Sequence, residues 1–251
     1  MSTYTEVPRA SRLRLAVIGK IANFPDSWFK RGLKAIGANR LLPFLVNKYY
    51  SELSFQKRWA RVFQNEREKV REYWKRYRHL DDIFRICALD ENSVILDVGC
   101  GISTVLHFVP GHRFGIDPLA DEYKKVYAYP DGIDVRKGFG EEIPFPDQYF
   151  TTAFCSNVID HTTDPEKTVN EIVRVLKPGG FFVLTVELFE EHEERDLSHP
   201  HSLTEQDVRR LVAEKFDTVF DRTASWMHLI DYVQGSNKTR GEQLILILRK
   251  R

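Results

Sequence analysis

The sequence predicts an α/β fold: a doubly wound, seven-stranded, mostly parallel sheet with an α-helical N-terminal extension. Three observations carry this expectation. A short apolar run, Val94-Ile95-Leu96, enters Asp97 and the turn Gly99-Cys100-Gly101, which reads as a buried strand that turns sharply. Apolar stretches of strand length then alternate with stretches of helical spacing as far as Leu248, the rhythm of a parallel sheet with crossover helices. A second strand-like run, Arg113 to Ile116, ends in Asp117, 20 residues after Asp97. That is the spacing of a carboxylate that meets ribose hydroxyls on a neighbouring strand.

Length and composition set the frame. A chain of 251 residues with 42% hydrophobic and 29% charged side chains can bury a sizeable core and is globular in class. The three cysteines, Cys87, Cys100 and Cys155, are odd in number and match no metal spacing. They read as reduced thiols in a cytoplasmic compartment. The longest apolar tract near the start, Leu15 to Gly19, is cut by Lys20, far short of a membrane span. The net charge of +1 conceals an asymmetry. Residues 1–80 hold 18 Lys/Arg against 6 Asp/Glu, and the remainder holds 19 against 30. Two zones follow: a basic α-helical segment over 1–80 and a second domain over 81–251.

Within the first zone, residues 11–50 mix cations with Leu, Ile, Phe and Trp, and Asp26 is their only acid. Ser27 to Ile36 reads as a short basic amphipathic helix. Such a segment serves as a helical lid, or as a contact with an anionic membrane surface, which would make the protein peripheral to a membrane. Nucleic acid phosphates are a weaker alternative. From Ser51 to Leu89, Trp59, Phe63, Val70, Tyr73, Trp74 and Tyr77 recur at three- and four-residue steps and read as a core-facing stripe. Ser103 and Thr104 are expected to open a helix behind the glycine turn, residues 119–129 look helical, and 132–136 reads as the third strand. Tyr149 to Cys155 is the fourth strand and Phe181 to Val186 the fifth. Asp164 and Pro165 have the residue types of a helix N-cap and first turn, and Lys177-Pro178-Gly179-Gly180 stops that helix. Thr204 to Asp207 forms a variant capping box. Phe216 to Arg222 and Gln243 to Leu248 complete the strands.

The glycine turn narrows the ligand. A nicotinamide fingerprint needs a third glycine at position 104, where Thr104 stands, and no phosphate-binding lysine follows. The pattern acid-x-Gly-x-Gly instead resembles motif I of class I S-adenosylmethionine-dependent methyltransferases, Rossmann-like enzymes of which this chain looks like the small-molecule branch. Gly138 to Asp147 resembles that family's loop after the third strand, with Phe139 in place of the usual acid. Ser156-Asn157-Val158-Ile159-Asp160-His161 resembles motif IV, and Leu176 to Gly180 the turn before the fifth strand. The matches span about residues 92–187. The resemblance implies S-adenosylmethionine as cofactor, bound by Asp97, Gly99, Cys100, Gly101, Asp117, Pro118, Phe139, Gly140, Glu141, Ser156 and Asn157. It also implies that the last two strands pair as an antiparallel edge.

Methyl transfer to a hydroxyl requires removal of a proton, and histidine suits that task near neutral pH. His161, just after the fourth strand, is the first candidate base. Asp160 would orient it or bind substrate, and His199 and His201 in the acidic loop 187–202 are rivals. His199-Pro200-His201 has a metal-like spacing but no defined third ligand, so no metal is assigned. The expected activity is methylation, most simply at oxygen, of a small molecule or a lipid or glycan acceptor. A nucleic acid partner is disfavoured because motif IV lacks the Asn/Asp-Pro-Pro-Tyr/Phe signature. An RNA methyltransferase and a cofactor-binding, membrane-associated protein without turnover stand as alternatives. The oligomeric state is left open.

Overall fold

A computed structural model describes residues 48–189, 201–236, 238–239 and 241–251. The chain divides into two compact units, Met1–Phe55 and Gln56–Arg251. Of the first, only the opening of one helix is described. The basic stretch 11–47, read above as a lid or membrane contact, lies outside the described residues.

The described elements begin with helices α1 (Lys48–Asn65), α2 (Arg67–Arg78) and α3 (Leu80–Ile86). Residues 56–80 belong to the same compact unit as the sheet. The aromatic stripe is core, as its spacing predicts: Trp59, Phe63, Val70, Tyr73 and Trp74 are all buried. His79 separates α2 from α3 in a left-handed conformation at φ 53°.

Seven strands follow: β1 (Val94–Val98), β2 (His112–Asp117), β3 (Ile133–Lys137), β4 (Phe150–Ser156), β5 (Leu176–Glu187), β6 (Phe216–Ser225) and β7 (Glu242–Lys250). They form one sheet in the order β3-β2-β1-β4-β5-β7-β6. The first five run parallel to one another. β7 runs antiparallel between β5 and β6, so the doubly wound, mostly parallel sheet and its antiparallel edge are as expected.

Three details differ from the sequence reading. No α-helix follows the glycine turn. Thr104 caps a single 3-10 turn, Val105–His107, because Pro110 and Gly111 arrive too soon for more. The helix after β2, α4, is only Ala120–Tyr123. β5 starts at Leu176, which pairs with Phe150 before a register shift brings Phe181 opposite Thr152. The Lys-Pro-Gly-Gly turn is therefore an irregularity inside the strand pairing.

The crossover helix α5 (Pro165–Val175) forms where its caps dictate. The Asp164 carboxylate accepts the Lys167 N–H at 2.9 Å, and Pro165 needs no donor at that position. Thr168, Val169, Ile172 and Val175 bury its inner face. The Thr204–Asp207 capping box opens α6 (Glu205–Val212), and α7 (Leu229–Val233) lies between β6 and β7.

Strand order reverses between β1 and β4, since the chain runs outward through β2 and β3 and returns to the other side of β1. Crevices at the carboxyl ends of strands flanking such a reversal are where open α/β sheets bind ligands. The sequence-predicted residues Asp97, Gly99, Asp117, Ser156 and Asn157 all fall at that edge, at or just beyond the ends of β1, β2 and β4.

Candidate functional site

The glycine turn after β1 is held from every side. The Gly99 and Cys100 N–H groups both donate to the Ile116 carbonyl, at 2.8 and 3.1 Å. The Gly101 N–H donates to Asp117 Oδ2 at 3.1 Å, and the Ile102 N–H to Gln56 Oε1 at 2.9 Å. The phenol of Tyr129 donates to the Gly101 carbonyl at 2.8 Å. Gly99 and Gly101 both have positive φ, 68° and 52°. A Cβ on Gly99 would fall 2.4 Å from Val158 Cγ1, and one on Gly101 would fall 2.7 Å from Gln56 Nε2. At Gly99 a Cβ has no room, and at Gly101 it would meet left-handed strain and displace the Gln56 amide. Because each N–H from Gly99 to Ile102 is used internally, the turn offers no donors to a phosphate, unlike a dinucleotide-binding loop.

What the turn presents instead is negative charge. Asp97 is 4% exposed and accepts the Thr104 hydroxyl at 2.7 Å. Burial pushes its carboxyl up to about 7. The Thr104 hydroxyl opposes that shift, and the negative charge of Asp117 adds to it. No Lys, Arg or His pairs with Asp97 among the described residues. Asp117 is also buried, and its Oδ1 accepts the Leu119 N–H at 2.8 Å, across the half-buried Pro118. Two buried acids around a turn without free donors suit a ligand that carries a cation and donates hydroxyls. Cys100 sits in this turn fully buried, and burial holds its thiol well above the usual range.

The loop after β3 supplies the rim. Phe139 is 44% exposed, an unusual state for a large apolar ring. Gly140 backs onto Thr168 of α5. Glu141 is engaged elsewhere: its Oε1 accepts the Thr163 and Asp164 N–H groups at 2.6 and 3.3 Å. Its carboxylate ties this loop to the start of α5.

At the end of β4, Ser156 Oγ is buried with no hydrogen-bond partner among the described residues. Asn157 adopts a left-handed conformation at φ 54°. Its N–H donates to the Thr185 carbonyl of β5 at 2.7 Å, and its Oδ1 accepts Arg78 Nη1 at 3.4 Å. A 3-10 turn, Ile159–His161, then brings two predicted residues together. Asp160 is 2% exposed, and its Oδ2 lies 3.7 Å from Nε2 of the His161 ring, which is 26% exposed.

His201 is held differently. Its Nε2 lies 3.0 Å from the Thr162 carbonyl and 3.3 Å from that of Thr163, so that nitrogen carries the proton and donates. Its backbone N–H reaches the Asp160 carbonyl at 3.4 Å. His201 thus pins the segment after β4. His199 and the acidic residues 190–198 lie outside the described residues. Cys155, like Cys100, is fully buried with a raised thiol, and burial pushes Cys87 up to about 12. None of the three is a thiolate nucleophile at neutral pH. Among the described residues no group of three or more His, Cys, Asp and Glu side chains is placed to hold a metal.

Sequence reasoning missed Gln56, Tyr129 and Arg78. Gln56 acts on the turn from 46 residues away, and Arg78 reaches Asn157 across 79. Only the end of the aromatic stripe at Tyr77 hinted at the second.

Comparison with known proteins agrees with this geometry. The profile of a family described as methyltransferase domain matches residues 96–184. A sterol 24-C-methyltransferase of Gibberella zeae is 27% identical over 154 residues, covering 55% of this chain and 40% of that protein. YcgJ of Bacillus subtilis, described as an uncharacterized methyltransferase, is 34% identical over 98 residues, 36% of this chain and 39% of that one. A tRNA U34 carboxymethyltransferase of Nautilia profundicola is 34% identical over 113 residues, 41% and 37% respectively. The chain spans about two fifths of the length of these curated relatives. Among solved structures, a methyltransferase candidate from Bacillus halodurans superposes with a TM-score of 0.57 at 21% identity, covering 68% of this chain and 98% of that one. The [4+2]-cyclase SpnF superposes at 0.51 and 21% identity, over 69% and 80%.

Proposed function

Because residues 96–184 make up a methyltransferase domain of the class I S-adenosylmethionine-dependent family, we propose that the protein methylates an oxygen of a small-molecule, lipid or glycan acceptor. The observation that carries this reading is the pair of buried acids, Asp97 and Asp117, around a turn whose backbone donors are all spent. The residues present fit the cofactor. Asp97 would hold its ammonium, directly or through water, and Asp117 its ribose hydroxyls. Pro118 and Phe139 would flank the adenine, and Gly99, Cys100 and Gly101 would let the backbone come close. Gly140, Ser156 and Asn157 line the same edge of the sheet.

When bound, S-adenosylmethionine supplies an electrophilic methyl group on a sulfonium. The chain's own task is alignment, exclusion of water and handling of one proton. His161 is the residue proposed for the proton. With its Nε2–H turned toward Asp160, Nδ1 carries the lone pair that accepts a hydroxyl proton, and the Asp160 carboxylate stabilises the imidazolium that results. His201, its Nε2–H committed to the Thr162 carbonyl, acts by holding this segment in place. His199 stands as the rival base.

The test has two parts. Calorimetry should detect binding of S-adenosylhomocysteine to the folded protein. Incubation with methyl-labelled S-adenosylmethionine and fractionated cell extract should then label a small or lipid product, identified by mass spectrometry. Failure of the first measurement overturns the reading. Label confined to transfer RNA would favour a second reading, an RNA acceptor, to which the similarity to a tRNA U34 carboxymethyltransferase lends support. A fold shared with a cyclase makes binding without methyl transfer a third outcome worth scoring.

A further inference from the structure

Arg78 is the last residue of α2 and is 7% exposed. Its described contacts are with uncharged groups. Nη1 donates to Asn157 Oδ1 at 3.4 Å, a long and weak bond. The Tyr73 phenol is hydrogen-bonded to it. The guanidinium carbon lies 6.0 Å from the ring centroid of Trp226. No carboxylate forms an ion pair with Arg78 among the described residues. A guanidinium has five N–H donors, and these contacts leave several without a protein acceptor.

The groups around this buried cation are all neutral: a long bond to Asn157, the Tyr73 phenol and an indole face, with no carboxylate to offset its charge. The Trp226 ring that the guanidinium approaches carries a further donor. The Trp226 indole, 5% exposed, has its N–H buried with no partner among the described residues. A guanidinium and an indole N–H have donors and no acceptors. Together they suit a ligand group that only accepts.

Position in the sheet says which ligand. Of the cofactor's proposed contacts, Asp97, the glycine turn and Asp117 sit at the ends of β1 and β2, and Ser156 and Asn157 at the end of β4. Arg78 lies on the other side of the strand reversal. It contacts Asn157 at the end of β4, whose N–H binds β5. The carbonyl of the preceding residue, Tyr77, accepts Gln243 Nε2 of β7 at 2.7 Å. Tyr73, Tyr77 and Tyr232 pack ring to ring alongside, with centroids 5.2 to 5.8 Å apart.

We propose that Arg78 and the Trp226 indole N–H form an anion subsite for the methyl acceptor, so that the acceptor carries a carboxylate or phosphate next to an aromatic or apolar body. This inference rests on the methyltransferase reading and names the substrate class for the same site. The guanidinium would bind the anion, the tyrosines would flank its body, and Asn157 would fix the guanidinium's orientation.

The test uses the full chain saturated with S-adenosylhomocysteine and three probes: benzoate, phenyl phosphate and the neutral analogue benzamide. Titration calorimetry and thermal shift should show that at least one anion binds and that benzamide does not. In Arg78→Met that binding should weaken about tenfold or more, with S-adenosylhomocysteine affinity unchanged within about twofold. Arg78→Lys, which keeps the charge, should retain part of the anion binding and guards against a folding defect in the first variant. Absence of any response to both anions at millimolar concentration, with S-adenosylhomocysteine bound, overturns the proposal while leaving the methyltransferase reading intact. So does a tenfold loss of S-adenosylhomocysteine affinity in Arg78→Met with anion binding preserved, which would assign Arg78 to the cofactor's carboxylate. Wild-type protein that does not bind S-adenosylhomocysteine fails the earlier reading, and this one with it.

Discussion

The two halves of the sheet's carboxyl edge are built on opposite principles. On the β1–β2 side the turn's backbone donors are consumed internally and what remains is acid: Asp97 and Asp117, both buried. On the β4–β5 side buried donors stand over: Arg78 without a carboxylate, the Trp226 indole and Ser156 Oγ without partners among the described residues. One half therefore favours a cationic, hydroxyl-rich molecule, and the other favours an acceptor of hydrogen bonds. A fold that binds two substrates can separate them by charge, so that neither competes well for the other's place.

The largest effect expected from probing this contrast is kinetic. His161→Asn should lower the methyl-transfer rate by about 10² to 10⁴-fold while S-adenosylhomocysteine affinity stays put, as measured by calorimetry beside a labelled-methyl assay. Equal loss of both would erase the division between the halves. Next comes Gly99→Ala, where a left-handed alanine costs about 1–2 kcal/mol and the clash with Val158 about 1–3 more. Denaturant titration should register that loss, and Val158→Ala should restore part of it. Since Val158 belongs to the β4 side, the rescue would show where the halves are mechanically joined.

Asp97→Asn should separate stability from binding. The folded carboxyl titrates near 7, well above the value of 3.8 for an unperturbed group. The folded state therefore keeps a proton that the unfolded chain releases, and stability falls as pH rises from about 4 to about 7. Removing the charge should raise stability by about 1–3 kcal/mol above pH about 7 and change little below about 4. The same variant should lose cofactor binding. In the wild type, cofactor affinity should climb as pH passes through about 7, because only ionised Asp97 holds an ammonium. A flat affinity profile across that range would remove Asp97 from the contact. The smallest effect is Gln56→Ala, which leaves the Ile102 N–H buried and unpaired at a cost of about 1–2 kcal/mol. It should loosen S-adenosylhomocysteine binding and leave anion binding on the β4 side untouched.

The same division marks what was legible in the sequence. The β1–β2 half is written locally: strand, acid, glycine turn and second acid all fall within Val94 to Asp117, and each residue type has one physical reason to be there. The Asp164-Pro165 cap, the Thr204–Asp207 box and the seven strands were readable on the same grounds. What was not readable depends on distance along the chain or on competition at short range. Nothing around Gln56 announces that its amide will close a turn 46 residues on. Arg78 reads as one more cation on a wet helix face until Asn157 and Trp226 are seen against it. Ser103 and Thr104 do resemble a helix start, and the short span before Pro110 limits them to one 3-10 turn. Glu141 looked free for a ligand because its partners, the Thr163 and Asp164 N–H groups, lie beyond the whole of β4.

The three cysteines offer one practical consequence. With Cys100 and Cys155 fully buried, Cys87 nearly so, and all three held in the thiol form, alkylating reagents should find no thiolate in the native protein. Modification must wait for the chain to open. Cys100 lies in the glycine turn and Cys155 near the end of β4, so the labelling rate of each becomes a clock for breathing of its own half. Adding S-adenosylhomocysteine should slow the first clock more than the second.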